Sequence, residues 1–413
     1  MRLKVLWFSL SPGLSASHLN NGYMGFGWLK ALESNIQEAV DLSIVFYHHE
    51  DVKPFTMRST KYFPVKQFKS GKVSEMIARV TNSLEKDSHI DTFLKIIDEV
   101  KPDVIHVHGT ESNYGLIQKH TDIPVVISIQ SIITVYHYKY FSTINYRHVR
   151  KYSSIKEFIL FRSFNNVYRR FNKMARRELE IYSNTKHVIG RTAWDRRVAS
   201  ILAPNAFYHH NDEILRQGFY LNQWSAKLNS KAILFTTNGP DIYKGIETLL
   251  HCALLLDSIN ISYEWRVAGL SSTEEIVAIA AKVTGKPISK NINFLGTVSE
   301  DGLITQLLQA NMYISTSHIE NSPNSLCEAQ ILGMPCIATD AGGTVSLIDD
   351  NKEGIVIQDG DPFVMAGAIV EMINNYKKAI VYGENARKTA LERHNPQKIT
   401  QDLLNIYNSL SKY

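Results

Sequence analysis

Short apolar runs recur along the chain, with helix-length amphipathic stretches between them. Residues 4–9, 42–47, 103–108 and 125–129 read as buried strands, and 28–33 and 92–100 as helices. The rhythm breaks between about 136 and 177, where aromatic and basic residues crowd together, and resumes with a short strand at 187–190. A polar linker at 222–230 separates a second alternation. It runs through strands 232–235, 264–268, 292–295, 312–315 and 335–339, with helices from Gly245 and over 323–332. Alternation of this kind predicts parallel sheets covered on both faces, built twice over. Ligands of such folds lie beyond the carboxyl ends of the strands, so function is expected at the strand tips.

Composition narrows the picture. The chain has 413 residues, 44% apolar and 21% charged, which suits two or three globular domains and excludes a disordered or fibrous protein. No apolar run approaches the roughly 18 residues of a membrane span. The apolar core of the first ten residues, 5–10, is too short for a signal peptide and reads as the first strand. Three cysteines, Cys252, Cys327 and Cys336, make no disulfide framework and no CxxC pair, so a reducing cytoplasm is expected.

Charge is unevenly placed. Between Tyr138 and Arg177 stand eleven Lys/Arg against the single acid Glu157, a net +10 in a chain whose total is +5. With Phe158, Ile159, Phe161 and Phe164 woven between Lys156, Arg162 and Arg169, this block suggests peripheral contact with an anionic membrane or a lipid-diphosphate acceptor. A basic block is often only a solvated face. Without a recognised nucleic-acid motif it does not argue for nucleic acid.

The most informative stretch is His318-Ile-Glu-Asn-Ser-Pro-Asn-Ser-Leu-Cys-Glu328. Ser322 suits a helix cap and Pro323 a first helical position, so the amides of Asn324, Ser325 and Leu326 would face one place as an anion site. Glu320 and Glu328 would flank a ligand whose phosphates rest there. By pattern alone, a capped helix with two surface acids is an equal reading.

Glu320 and Glu328, with seven residues between them, resemble the E-x7-E signature of retaining glycosyltransferases, family 4 in particular (glycosyl transferases group 1). The following Gly-Met-Pro-Cys-Ile-Ala-Thr-Asp-Ala-Gly-Gly343 is similar to that family's run after the second Glu. Tyr243-Lys-Gly245 resembles its phosphate contact, Phe294-Leu-Gly-Thr-Val298 its base-binding turn, and Lys101-Pro-Asp-Val-Ile-His-Val-His-Gly109 an N-domain strand tip. The resemblance implies an α/β GT-B fold, two Rossmann-like doubly wound domains facing a central cleft. Residues 1–221 would be the acceptor domain and 222–395 the nucleotide-sugar domain, with a helix over 396–413 packing back on the first. It implies sugar transfer from a nucleotide donor, UDP-linked before GDP-linked, to a glycan or lipid-linked acceptor in cell-surface polysaccharide synthesis.

By position, Glu320 would hold the donor sugar's hydroxyls, Glu328 the ribose hydroxyls, and Lys244 the leaving diphosphate together with the amides of Asn324, Ser325 and Leu326. Gly296 and Val298 would lie at the base. The glycine-rich loop with Gly22 would be a lid beside the donor phosphate. The resemblance implies neither cofactor nor metal.

Two positions depart from the family. Gly239 stands where many relatives carry an arginine on the diphosphate, and Gln130 where they often present a histidine near the reacting sugar. Gln130 can orient a hydroxyl but cannot titrate near neutral pH. Arg191 is a candidate replacement cation, or else the partner of an acid such as Asp195. His108, at the end of a strand, is expected on the acceptor side or in a structural role. His106/His108, His48/His49 and His209/His210 show no third ligand at a metal-binding spacing. A non-catalytic nucleotide-sugar binder is the alternative that these departures keep open.

Overall fold

In the computed structural model, which describes residues 2–19, 27–67, 72–86, 88–225 and 227–411, the apolar runs become the strands of two separate sheets. The first sheet holds β1 (Lys4–Ser9), β2 (Asp41–His48), β3 (Phe55–Met57), β4 (Thr60–Lys66), β5 (Val104–His108), β6 (Val125–Ser128), β7 (His187–Gly190) and β8 (Phe207–His210). Their order is β3-β4-β2-β1-β5-β6-β7-β8, and every pairing is parallel except the β3–β4 hairpin at the edge. The second holds β9 (Ala232–Thr237), β10 (Tyr263–Ala268), β11 (Ile292–Gly296), β12 (Met312–Ile314), β13 (Cys336–Asp340) and β14 (Ile355–Gln358). Its order, β11-β10-β9-β12-β13-β14, is the doubly wound 3-2-1-4-5-6 arrangement, parallel throughout.

Helices cover both faces of a parallel sheet, so its strands are buried end to end rather than alternately. β5 and β6 are buried at every position, and β1 and β2 at every position but the first. Trp7 and Trp265, one in each sheet, are fully buried.

The chain divides into two compact units. The first comprises Met1–His137, Asn166–Ile214 and His394–Tyr413; the second comprises Tyr138–Asn165 and Leu215–Arg393. The helix Pro396–Leu410 buries Ile399, Leu403, Ile406, Tyr407 and Leu410 in the core of the first unit. Its Tyr407 hydroxyl accepts from Trp7 Nε1 at 2.9 Å and lies 2.6 Å from His106 Nδ1, while His106 Nε2 lies 2.6 Å from Ser128 Oγ.

Residues 138–165 belong to the second unit, an excursion that a single boundary drawn at 221 cannot express. The Ser154 amide donates to Glu275 at 3.0 Å, and Lys282 lies over the Tyr152 ring.

Candidate active site at the carboxyl edge of the second sheet

In a doubly wound sheet, the loops leaving the two strands at which the winding reverses diverge and leave a crevice. In the second unit those strands are β9 and β12, and Lys244 follows one while Glu320 follows the other. Several bonds stitch the two loops together. Thr316 Oγ1 donates to the Lys244 carbonyl at 2.8 Å, Asn238 Nδ2 to Thr316 Oγ1 at 3.3 Å, and the His318 amide to the Tyr243 carbonyl at 2.8 Å. Gly245 makes the approach possible. It sits at φ +70°, and a Cβ there would lie 1.9 Å from the Thr316 carbonyl oxygen. The result is a direct pair: Lys244 Nζ stands 2.6 Å from Glu320 Oε1, which also accepts from Ser317 Oγ at 2.7 Å.

The helix Asn324–Leu332 begins one residue later than the sequence suggested. Pro323 is its cap residue, at ψ 107°, and no side chain caps it; Ser322 Oγ has no hydrogen-bond partner among the described residues. The Pro323 carbonyl takes the amides of Leu326 and Cys327, at 3.0 and 3.2 Å. The Leu326 amide, expected to be free, is therefore used inside the helix. Asn324 and Ser325, at the first two helical positions, are the amides that a helix of this start leaves without an intrahelical acceptor.

Glu328, in the same helix, is buried and gripped by an arginine that sequence reasoning missed. Arg216 Nε and Nη2 donate to its two oxygens at 2.7 and 2.6 Å. Burial pushes the Glu328 carboxyl above the ordinary range, while Arg216 opposes that rise. Each oxygen keeps lone-pair capacity for a further donor.

His318 was also unforeseen. Its ring is wholly buried between two acids, with Nε2 2.6 Å from Glu247 Oε1 and Nδ1 3.3 Å from Asp359 Oδ2. Burial alone would lower its pKa, but the two carboxylates overcome that and raise it to about 9. At neutral pH it is an imidazolium that ties the start of the helix Ile246–Ser258 and the turn after β14 to the loop carrying Glu320. Gly296 ends β11 on the same carboxyl edge, and Val298 packs half-buried against the core of this unit. Around Gly239 there is open space, since a Cβ placed on it would find no atom nearer than the Lys244 Cγ at 4.0 Å.

The remaining candidates lie in the first unit, again at strand tips. Gln130 follows β6 and Arg191 follows β7. Arg191 is buried and pairs with Glu213 at 2.5 Å, not with Asp195, and its Nη2 donates to the Ile129 carbonyl at 2.6 Å. Asp195 instead accepts from the Arg191 and Thr192 amides at a helix start. With its amide turned to match donors to acceptors, Gln130 bridges the pair, its nitrogen 2.9 Å from Glu213 and its oxygen 3.1 Å from Arg191. A small cavity of about 20 Å³ borders His108, Gln130, Arg191, Asn211, Glu213 and Trp28. Both His108 nitrogens, Arg191 Nε and Asn211 Oδ1 have no hydrogen-bond partner among the described residues. Burial holds the His108 pKa well below its usual value, so its ring is neutral.

Gly22 lies outside the described residues. The histidine pair His48–His49 does acquire a third potential ligand, since atoms of His48, His49 and Glu50 lie within 4.8 Å of one another. Sequence spacing gave no sign of this, because the three are contiguous rather than patterned. No helix among the described residues is long and apolar enough to cross a membrane.

Residues 222–389 match the family described as Glycosyl transferases group 1. Among similar proteins, a poly(ribitol-phosphate) alpha-N-acetylglucosaminyltransferase of Staphylococcus aureus is 27% identical over 40% of this chain and 33% of its own length. The capsular polysaccharide biosynthesis glycosyltransferase CapM of Staphylococcus aureus is 26% identical over 41% of this chain and 44% of its own. The matches thus span a third to under half of these relatives. Among solved structures, a sucrose-phosphate synthase of Thermosynechococcus elongatus superposes with a TM-score of 0.73 at 14% identity, covering 99% of both chains. Anabaena HepE in complex with UDP and glucose gives 0.64 at 15%, covering 99% of this chain and 100% of its own. The fold is that of the GT-B glycosyltransferases, as the sequence resemblance implied.

Proposed function

We propose that the protein is a retaining glycosyltransferase that moves a sugar from a nucleotide donor to a glycan or lipid-linked acceptor in cell-surface polysaccharide synthesis. The observation that carries this reading is the Lys244–Glu320 pair at the winding reversal of the second sheet, beside the start of the helix Asn324–Leu332. A UDP-sugar is the preferred donor. Its diphosphate rests on Lys244 and the Asn324 and Ser325 amides, its ribose hydroxyls on Glu328, and its sugar hydroxyls on Glu320.

When the bond from the anomeric carbon to the diphosphate oxygen breaks, that oxygen gains charge. A preset ammonium and two preset amides lower the barrier because they need no rearrangement as the charge grows. Lys244 and Ser317 both donate to Oε1 of Glu320, so its second oxygen accepts from the sugar hydroxyls while Lys244 meets the diphosphate. The Glu328–Arg216 pair likewise keeps room for the ribose, since Arg216 occupies only one lone pair on each oxygen. Gln130 lies in the first unit and orients an acceptor hydroxyl. No residue is assigned as a general base, and transfer is metal-independent.

The test is turnover with a panel of UDP- and GDP-sugars, following release of the nucleoside diphosphate with and without EDTA. Retention is read from the anomeric proton coupling of the product. Nucleotide-sugar affinity without any release would make the protein a non-catalytic binder, and an inverted product would remove the retaining assignment.

A further inference from the structure

The excursion Tyr138–Asn165 meets the donor-site loop through Tyr140, whose ring packs edge-on against Tyr243. None of its residues from Tyr146 to Arg162 was placed in that site, however, and there exposed apolar and basic side chains stand together. The helix Tyr146–Tyr152, capped by Asn145, buries Val149 and is followed by the short helix Ile155–Ile159. Ile155 and Ile159, one turn apart, are 77% and 62% exposed, and Leu160 and Phe161 after them are exposed too. Four exposed large apolar residues within seven positions is a cluster, not the scatter normal for a protein surface. Just before them the chain is tied to the second unit by the Ser154–Glu275 bond and by Tyr152 against Lys282.

The cations around this cluster are exposed as well: Arg147, Arg150, Lys151, Lys156 and Arg162. None forms a salt bridge among the described residues, and Glu157 is the single acid of the excursion. Phe164, counted with the apolar set from sequence, is only half-exposed. Arg169 and Arg170 belong to the first unit. The set that matters is thus smaller and lies earlier in the chain.

We infer that this surface docks on an anionic lipid bilayer, with Ile155, Ile159, Leu160 and Phe161 entering the headgroup–acyl boundary and the five cations meeting lipid phosphates. The combination selects the occupant. A soluble polyanion would satisfy the cations but would gain nothing from branched aliphatic side chains, which neither stack nor hydrogen-bond. An uncharged bilayer would take the aliphatics and leave the cations unpaired. Only a surface that is both apolar beneath and anionic above complements both sets. This is independent of the donor-site reading, because none of these residues was placed there.

Co-sedimentation of the full chain with vesicles of phosphatidylcholine and phosphatidylglycerol (3:1), against phosphatidylcholine alone, tests it. Binding is expected only to the anionic vesicles, weakening as salt rises. The double variant I155S/I159S should lower it about tenfold, and K156Q/R162Q should lower it and flatten the salt dependence. Thermal melting controls for folding, and UDP binding should be unchanged in both variants. Equal binding to both vesicle types, no binding, or undiminished binding by I155S/I159S would overturn the proposal. Release of the protein from vesicles by sodium polyphosphate alone, with I155S/I159S behaving as wild type, would reassign the surface to a soluble polyanion.

Discussion

Arg216 holds both carboxylate oxygens of Glu328, at 2.7 and 2.6 Å, across 112 residues of sequence. The acid is almost fully buried while the arginine keeps about a quarter of its side-chain exposure, 24%. Removing the arginine would leave a desolvated carboxylate alone. Arg216→Gln should cost on the order of 2 kcal/mol of stability, less than a fully buried pair because water still reaches one partner. It should also let Glu328 take up a proton closer to neutral pH, so that UDP binding weakens as pH falls. Denaturant titration and UDP binding at two pH values check this, and a pH-independent affinity in the variant would refute it.

Glu320→Gln and Glu328→Ala should both cut turnover, but for different reasons. Glu328→Ala should weaken binding of UDP itself, whereas Glu320→Gln should spare UDP and remove the extra affinity contributed by the donor sugar. Each lost charged hydrogen bond would be worth about 1.5–3 kcal/mol. If free UDP bound equally poorly to both variants, the division of roles between sugar and ribose would be wrong.

Lys244→Ala should lower affinity for a nucleoside diphosphate far more than for the nucleoside, since one ammonium matched to phosphate never touches a base. Its Nζ lies 2.6 Å from Glu320, so the variant also leaves that acid without its cation. Parallel loss of nucleoside and diphosphate affinity, measured by calorimetry, would mark Lys244 as a structural strut.

His318 supplies a pH signature. Its pKa in the folded chain is raised to about 9 from the ordinary 6.5, so the folded state binds the proton more tightly than the unfolded one. The stabilisation is therefore complete below about pH 6.5 and is lost as pH rises through about 9, amounting to on the order of 3 kcal/mol. Stability measured from pH 6 to 10 should fall over that window in the wild type. In His318→Gln the fall should be largely absent. An unchanged slope in the variant would show that Glu247 and Asp359 do not hold an imidazolium.

What could be read from sequence was local. Most strands announced themselves because burial on both faces demands uninterrupted apolar runs; β3, β8 and β14, short strands at sheet edges, and β4, with Lys61 and Pro64 inside it, did not. The paired acids stood out by the seven residues between them. Lys244 was legible only through the resemblance of Tyr243-Lys-Gly245 to a family's phosphate contact. Its meeting with Glu320 was not, and neither were Arg216 with Glu328, His318 with Glu247, or Arg191 with Glu213. Those contacts depend on which strands lie side by side, and the reversal of strand order brings together loops whose separation in sequence carries no signal. The start of the helix Asn324–Leu332 was misread by one residue for a different reason. Both Ser322 and Pro323 favour a helix start, and only the backbone angle at Pro323 decides which of them stays outside.

The bond between Trp7 and Tyr407 spans 400 residues, and the unit it closes is assembled from three stretches of chain. During synthesis, β1 leaves the ribosome long before Tyr407 exists. Until then the Trp7 indole N–H and the His106 ring, which sit in the middle of the sheet, lack the hydroxyl that joins them. The second unit has all its residues by Arg393 and can finish earlier. The usual vectorial order is thereby inverted: the half of the protein that is made first is the half that completes last. A released chain truncated after residue 395 should hold a protease-resistant second unit and an open first one.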